Sequence, residues 1–564
     1  MKIGEGMIYP LGATVSDTGV NFSVAVAGGK KCELLLYKAG EKSPFQKIEM
    51  KENPGHGEIR TLKIEDAHAE GWEYNYRIDG IEKMDPYARA VSGKEIWGEP
   101  LKQEGMARGK IIEEHYDWEG DTPLLIPYED VVAYSLHVRG FTKHASSKVK
   151  NKGTFAGIIE KISYLKNLGI NQIHLMPIYE FEENGKYKNY WGYGAAYWFA
   201  PKASYAKDKN QNRELKHLVK TCHKSGIEVI LNLPFMDGIS HSLITDCIRY
   251  YTLEYHVDGF VVNPYCAPFE ELRKDPLLAN IKILKQQDDF QDIMRRFLKG
   301  DEGMVEGAIW WLRHISKEDG IFNYMTNHTG FTLCDLVSYD RKHNELNGEK
   351  NQDGPDYNYS WNCGAEGPSR KKGVTDLRKN QIKNAFLLLL MAQGTPCILA
   401  GDEFLNSQKG NNNVYCQDNE IGWMNWNKEG EEHWLFQYVK DLIAFRKKHP
   451  VLHCKEELAG IDRVASGVPD ISYHGEAAWQ VPSEVSSRQL GIYYYGEAFA
   501  DVSCFVAYNM HWLSHSFALP ALAKGKQWYI AVSTGEGVLK EERLLKNQRE
   551  VIVDERTICI FIGK

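Results

Sequence analysis

The 564-residue chain is longer than one hydrophobic core ordinarily organises, so about three domains are expected. Its 68 basic and 76 acidic side chains leave a formal charge of −8, which excludes a general phosphate-binding surface of the kind nucleic acids require. No stretch approaches the ~18 apolar residues of a membrane span, and the opening Met1-Lys2-Ile3-Gly4 lacks the apolar run of a signal peptide.

From about Val20 to Asp117 short alternating segments, such as Val20-Asn21-Phe22-Ser23-Val24 and Cys32-Glu33-Leu34-Leu35-Leu36-Tyr37, are separated by Gly, Pro and Asp turns, the pattern of a β-sandwich. Pro123 and Pro127 mark a linker, after which the rhythm changes. Apolar runs now alternate with helical stretches. The runs begin at Val131, Ile170, Ile227, Val257, Ile281, Phe322 and Thr395. Such runs, apolar on both faces and joined by helices, predict a parallel sheet closed into a (β/α)8 TIM-type barrel. Seven strands are clear, and the missing sixth is expected in compressed form at Gln287–Gln291, ahead of a helix carrying Met294, Phe297 and Leu298. After a helix from Trp434 to His449 alternation returns, as in Leu490–Tyr495 and Val551–Val553, predicting a C-terminal all-β domain. The expected division is 1–122 for the N-terminal β-sandwich, 123–449 for the barrel and 450–564 for the C-terminal β-sandwich.

The 14 Trp and 31 Tyr residues supply flat rings of the kind that stack on sugar faces, although core packing accounts for many of them. The 11 Cys residues form no Cys-x-x-Cys pair and no Cys/His cluster, so reduced thiols, a cytoplasmic location and no structural metal are expected. No cofactor motif is present, and no cluster of oxygen ligands suggests calcium.

Long segments then point to a family. The runs from Pro10 (PLGATVSDTGVNFSV), Tyr74 (YNYRIDG), Asp85 (DPYARAVSG), His137 (HVRGFTKH), Asn189 (NYWGYGAAYWFAPKASYA), Gly330 (GFTLCDLVSYDRKHNELNGEKNQDGPDYNYSWNCGAEGP) and Gly394 (GTPCILAGDEFLNSQKGNNNVYCQDNEIGWMNW) resemble, in order, the isoamylase, pullulanase and glycogen-debranching branch of the α-amylase superfamily (glycoside hydrolase family 13). The resemblance implies a carbohydrate-binding-module-48-like N-terminal sandwich, an α-amylase-like barrel and a C-terminal β domain. It implies α-glucan as ligand and retaining hydrolysis of α-1,6 branches as the usual reaction.

That reaction needs a nucleophilic carboxylate and a proton-donating carboxyl about 5 Å apart at the C-terminal rim of the barrel. By the resemblance, the nucleophile follows the fourth strand in Gly-Phe-Arg-Phe-Asp; here the run is Gly259-Phe260-Val261-Val262-Asn263. The proton donor ends a fifth-strand run whose counterpart here is Lys282-Ile283-Leu284-Lys285-Gln286, and the third carboxylate of His-Asp-Gly-Phe-Thr is replaced in His328-Thr329-Gly330-Phe331-Thr332. An amide is a poor nucleophile, carries no charge for an oxocarbenium-like transition state and has no acidic proton to deliver. In another hydrolase, losing one member of a catalytic unit costs on the order of 10⁴ to 10⁶ in rate. No catalytic residue is therefore expected.

At the third strand, Asn232-Leu233-Pro234-Phe235-Met236-Asp237 stands where relatives have a sugar-contacting His. The chain from Asp237 to His256 is short for the loop that walls the family's cleft. Trp191, Tyr193 and His328 match the family's sugar contacts, with packing as the competing explanation. Asp237, Glu180, Glu182, Asp288 and Asp335 are the carboxylates from which a rebuilt site would have to be drawn, while Asp402 and Glu403 match a pair that is usually structural.

The expectation is a catalytically silent relative that binds α-glucan such as glycogen or starch oligosaccharides, or associates with an active debranching enzyme or with a second copy of itself, without nucleic acid or membrane. Two alternatives stay open: an active α-1,6-glucosidase with a shifted or rebuilt site, and a structural or regulatory subunit without sugar affinity.

Overall fold

The computed structural model describes residues 2–65, 69–100, 107–113, 115–208, 210–317, 319–428 and 433–564. Two antiparallel sheets build the N-terminal region. One orders Lys2–Gly4, Ile59–Glu65, Gly19–Ala25 and Gly12–Ser16; the other orders Gln46–Glu49, Cys32–Tyr37, Glu73–Ile78 and Ile81–Lys83, with Gly109–Lys110 added beside Glu73–Ile78. In Ile59–Glu65 burial alternates residue by residue, as a strand with one face on a core requires. Phe22, Leu34, Leu36, Leu62, Ile64, Tyr74 and Tyr76 form that core, with Phe22 edge-on to Tyr74 at 5.4 Å.

The barrel sheet comprises β1 (Ala133–Leu136), β2 (Gln172–Leu175), β3 (Glu228–Leu233), β4 (Gly259–Val262), β5 (Lys282–Leu284) and β6 (Cys397–Leu399), in the order β5-β4-β3-β2-β1-β6. β3 with β4 and β1 with β6 are parallel, and β2, β4 and β5 are buried along their whole length. First and last strands pairing is what closes such a sheet on itself. Gly259 is required where it stands in β4, because a Cβ there would lie 2.4 Å from the Lys282 carbonyl oxygen.

The sequence expectation fails between β5 and β6. No strand forms at Gln287–Gln291; helix α3 (Asp289–Lys299) starts there, after helices α1 (Gln211–Lys224) and α2 (His241–Tyr255) earlier in the chain. The reason is local: Asp289 and Asp292 favour a helix N-terminus, and Phe290, Met294, Phe297 and Leu298 recur on one buried face. Gly300, at φ 84°, ends the helix in the left-handed region. The run from Phe322 is reduced to a single parallel bridge, Asn323 with Pro396, while the Lys285 N–H bonds to the Gly320 carbonyl at 2.8 Å.

In the C-terminal region six strands run in the order Ile471–His474, Gln489–Tyr494, Ser503–Asn509, Thr557–Gly563, Trp528–Ser533 and Gly537–Leu544, with a second pair, His515–Ala518 and Glu550–Val553. Tyr493, Phe505, Phe517, Trp528 and Phe561 form their core. The chain packs as two compact units, one of Met1–Leu124, His137–Glu160 and Leu175–Ile283, the other of Leu125–Leu136, Lys161–His174 and Leu284–Lys564. Among the described residues no helix is long and apolar enough to cross a membrane.

Candidate functional site

The residues singled out in the sequence fall into two groups, one in each unit. In the first unit β4 ends at Val262 and the chain turns. Asn263, half-buried, directs its side chain into that turn: Oδ1 accepts the Tyr265 N–H at 3.0 Å and Nδ2 lies 3.3 Å from Cys266 Sγ. Val261 is buried at 5% exposure, where a charge would be cut off from water. After β3 the chain passes Pro234 and Phe235 to Asp237, which is exposed and accepts only a local bond, from the Gly238 N–H at 2.9 Å. Helix α2 starts at His241 and runs to Tyr255, so most of the Asp237–His256 interval is helix rather than rim loop.

Trp191 and Tyr193 sit on a loop fixed by Asn189, whose Oδ1 accepts the Gly192 N–H and whose Nδ2 donates to the Tyr193 carbonyl, both at 2.9 Å. A Cβ on Gly192 would collide with the Phe181 ring at 2.3 Å. Trp191 is 6% exposed, edge-on to the half-buried Tyr193 at 6.2 Å. The Tyr193 hydroxyl receives the Asn232 Nδ2–H at 3.0 Å, and burial raises its pKa. Asn232, the third-strand amide, is thus part of the Tyr193 support.

Glu180 and Glu182 are ion-pair residues. Glu180 and Glu183 share the Lys202 ammonium at 2.8 Å each, and Glu182 meets Lys94 at 2.5 Å. Three tryptophans of the N-terminal region also serve packing: Trp72 is edge-on to Phe45, Trp97 stacks on Tyr205 at 9° between planes, and Trp118 stacks on His256 at 3.8 Å.

In the second unit Gln286 lies two residues past β5, half-buried. Two residues further on, exposed Asp288 accepts the Tyr324 hydroxyl at 2.6 Å and the Asn327 Nδ2–H at 3.3 Å. Asn327 Oδ1 takes both the Thr329 N–H and its hydroxyl, each at 2.8 Å, so Thr329 is closed into a local turn. Burial drives the His328 pKa down to about 4 against the opposing pull of Asp288, leaving the ring neutral at pH 7, a donor and acceptor rather than a cation. Asp335 anchors a loop through Ser407 Oγ at 2.5 Å and the Gln408 N–H at 2.8 Å. Glu403 accepts from Tyr134 at 2.7 Å and Tyr164 at 2.6 Å, and burial raises its pKa. Asp402 accepts from the Thr326 hydroxyl and from the Leu333 N–H, and burial pushes its carboxyl up to about 7.

Sequence reasoning missed the support of Asp288. Tyr324 lies in the run from Phe322 expected as a strand, and Arg295, 3% exposed on the buried side of α3, holds the Met325 carbonyl at 2.7 Å and the Asn358 carbonyl at 3.2 Å. The one available signal was the position of Arg295 beside Met294 and ahead of Phe297.

A parallel β/α barrel with an antiparallel sandwich before it and an all-β domain after it is the architecture of α-amylase-type proteins. The alpha-amylase catalytic-domain family model matches residues 140–237. Chloroplastic isoamylase 1 of Oryza sativa is 30% identical over an alignment of 679 positions that spans 95% of this chain and 83% of the relative. A glycogen debranching enzyme of Erwinia tasmaniensis is 31% identical over 80% of this chain and 85% of its own. The pullulanase of Paenibacillus barengoltzii superposes with a TM-score of 0.75 at 20% identity, covering 98% of this chain and 94% of that one, a likeness of fold. The chain belongs to the isoamylase, pullulanase and glycogen-debranching branch of glycoside hydrolase family 13. The 679-position alignment exceeds the 564 residues of the chain, so the rice relative carries insertions that this chain lacks.

Proposed function

We propose that the protein is a catalytically silent member of this family that binds α-glucan, alone or beside an active debranching enzyme, in the cytoplasm. One observation carries the reading: the three family carboxylate positions hold Asn263, Gln286 and Thr329, and two of the three have turned inward, Asn263 onto the Tyr265 N–H and Thr329 onto Asn327. Glucan binding rests on the family relationship, on Trp191 and Tyr193 in the first unit, whose loop is held by Asn189, and separately on His328 in the second. The cytoplasmic assignment is supported by the Cys residues, most of which are buried.

The test uses the full chain with glycogen and pullulan. Retarded migration in a glycogen-containing native gel, with no new reducing ends, is the expected result. Release of reducing ends by the pure protein overturns the silent reading, and absence of retardation overturns the glucan-binding one.

A second reading is favoured by Asp288. It is exposed, lies two residues beyond Gln286 and is oriented by Tyr324 and Asn327, as an acid or base is expected to be. Hydrolysis through it would need a second carboxylate across the sugar, and the candidates in its unit, Asp335 and Asp402, spend their oxygens on loop and backbone donors. Activity that disappears in Asp288→Asn would decide for this reading.

A further inference from the structure

Away from the strand ends, the first unit contains an open cleft of about 200 Å³ lined by Tyr9, Tyr87, Arg89, Phe199, Asp246 and Arg249, with Tyr250 and Leu253 beside them. The two sides have different origins. Tyr9 and Tyr87 come from the N-terminal region, and Asp246, Arg249 and Tyr250 from one face of α2, where residues three and four apart are neighbours. Rings form the walls: Tyr87 lies 4.7 Å from Phe199, which lies 5.5 Å from Tyr250. Tyr9 is 59% exposed and Leu253 58%, so apolar surface stays open to solvent at the mouth.

The polar groups suit a neutral ligand. Asp246 receives the Tyr9 hydroxyl at 3.2 Å and the Tyr87 hydroxyl at 3.4 Å, two long bonds on a carboxylate with about four lone-pair sites. The charges lining the cleft are equal in number, Arg89 and Arg249 against Asp246 and Glu254; Arg249 also pairs with Asp275 at 2.8 Å and Glu254 with Lys216 at 3.2 Å. A phosphate would find no surplus of cation, and an ammonium no surplus of anion. A cleft of about 200 Å³ is on the scale of a single sugar ring. Aromatic walls for a C–H face and planar carboxylate and guanidinium groups for hydroxyls are the two things a pyranose asks of a protein.

We infer that this cleft is a second saccharide site, taking one glucosyl unit of an α-glucan between Tyr9 and Tyr87, with Asp246 and Arg249 bonding its hydroxyls. The inference rests on the proposed glucan binding and locates part of it away from Trp191 and Tyr193. It explains why a loop tip should present Tyr9 to solvent while its hydroxyl is tied to a carboxylate on α2.

The test titrates maltose and maltotriose into the full-length protein by calorimetry, for the wild type, Tyr9→Ala, Asp246→Asn and Trp191→Ala. Tyr9 is exposed and Asp246→Asn is isosteric, and thermal unfolding of each variant verifies that it is folded. Should Asp246→Asn be unfolded, Tyr9→Ala alone decides. The expected result is a loss of maltose affinity of roughly tenfold in Tyr9→Ala or Asp246→Asn, equivalent to about 1.4 kcal/mol, with this component unchanged in Trp191→Ala. Binding that is unaffected in both cleft variants and lost in Trp191→Ala overturns the cleft while leaving glucan binding in place. No heat with either sugar in the wild type overturns both.

Discussion

If Asn263 is a turn residue rather than an impaired nucleophile, its removal should register in local stability and nowhere else. Asn263→Ala deletes the acceptor for the Tyr265 N–H at 3.0 Å and a weak contact to Cys266 Sγ at 3.3 Å. An intramolecular hydrogen bond contributes about 0.5–1.5 kcal/mol net, and more only where the abandoned partner is left dry. Tyr265 is 97% exposed, so water can reach its amide, and the expected cost falls at about 1 kcal/mol. Asn263→Asp retains the acceptor and should stay within about 0.5 kcal/mol of the wild type. Amide hydrogen exchange over 263–267 and urea unfolding measure both, alongside glycogen retardation and reducing-end release. Asn263→Ala should lose protection in the turn with retardation unchanged, and Asn263→Asp should keep protection and release nothing. Unaltered exchange at Tyr265 in Asn263→Ala would refute the turn assignment; hydrolysis of pullulan by Asn263→Asp would refute the silent one.

Other expectations follow from the same structure. Gly259→Ala would place a Cβ 2.4 Å from the Lys282 carbonyl and 2.8 Å from Ile230 Cδ1, and should cost about 1–3 kcal/mol by urea unfolding, as overpacking does. His223 bridges Asp121 at 3.0 Å and Asp258 at 2.9 Å; burial alone would lower its pKa, but the Asp258 bond and charge, then Asp121, raise it overall. Its folded pKa lies above the unfolded value of about 6.5, so its contribution is fully present below that pH and is lost as pH rises through the folded pKa. Thermal unfolding between pH 6 and pH 9 should therefore be flatter in His223→Gln than in the wild type. Asp402→Asn keeps an acceptor for the Leu333 N–H and should be tolerated at neutral pH, whereas Asp402→Ala leaves that buried N–H unpaired and should cost about 1–3 kcal/mol by urea unfolding.

The parallel strands are legible because each is an apolar run bounded by turns, and the sandwich because short segments such as Val20–Val24 and Cys32–Tyr37 are separated by Gly, Pro and Asp turns. What failed was the sixth strand. Gln287–Gln291 was assigned by counting to eight, whereas its own residues, two acids ahead of a Phe, Met, Phe, Leu stripe, specify the N-terminus of a helix. The placing of Asn263, Gln286 and Thr329 at the three carboxylate positions rests on the motif register alone. The turns into which Asn263 and Thr329 fold depend on partners two residues away, the Tyr265 N–H for Asn263 and the Asn327 Oδ1 for Thr329, whose directions no side-chain pattern encodes. The Tyr9–Tyr87–Asp246 cleft was invisible for a different reason: its walls lie more than 150 residues apart, and each ring taken singly reads as packing.

Val261 makes the missing charge harder to restore than the three family positions imply. The resemblance implies an Arg two residues before the nucleophile, holding it ionised; here a valine at 5% exposure stands at that register, with Asn263 at the same strand end. Val261→Arg alone puts a guanidinium among apolar groups, and an unpaired buried charge should cost about 3–5 kcal/mol. With Asn263→Asp beside it the new carboxylate offers a partner, so the double variant should be more stable than the two single costs added together, by about 1–3 kcal/mol in a double-mutant cycle. Urea unfolding of the four proteins measures that coupling. A coupling near zero would mean that the two side chains do not meet at the end of β4, and the erased Arg–Asp pair would then not account for what is lost there. A positive coupling with no reducing ends released, even after Gln286→Glu and Thr329→Asp are added, places the remaining deficit in the shortened rim, because a preorganised charge stabilises an oxocarbenium ion only where water is kept out.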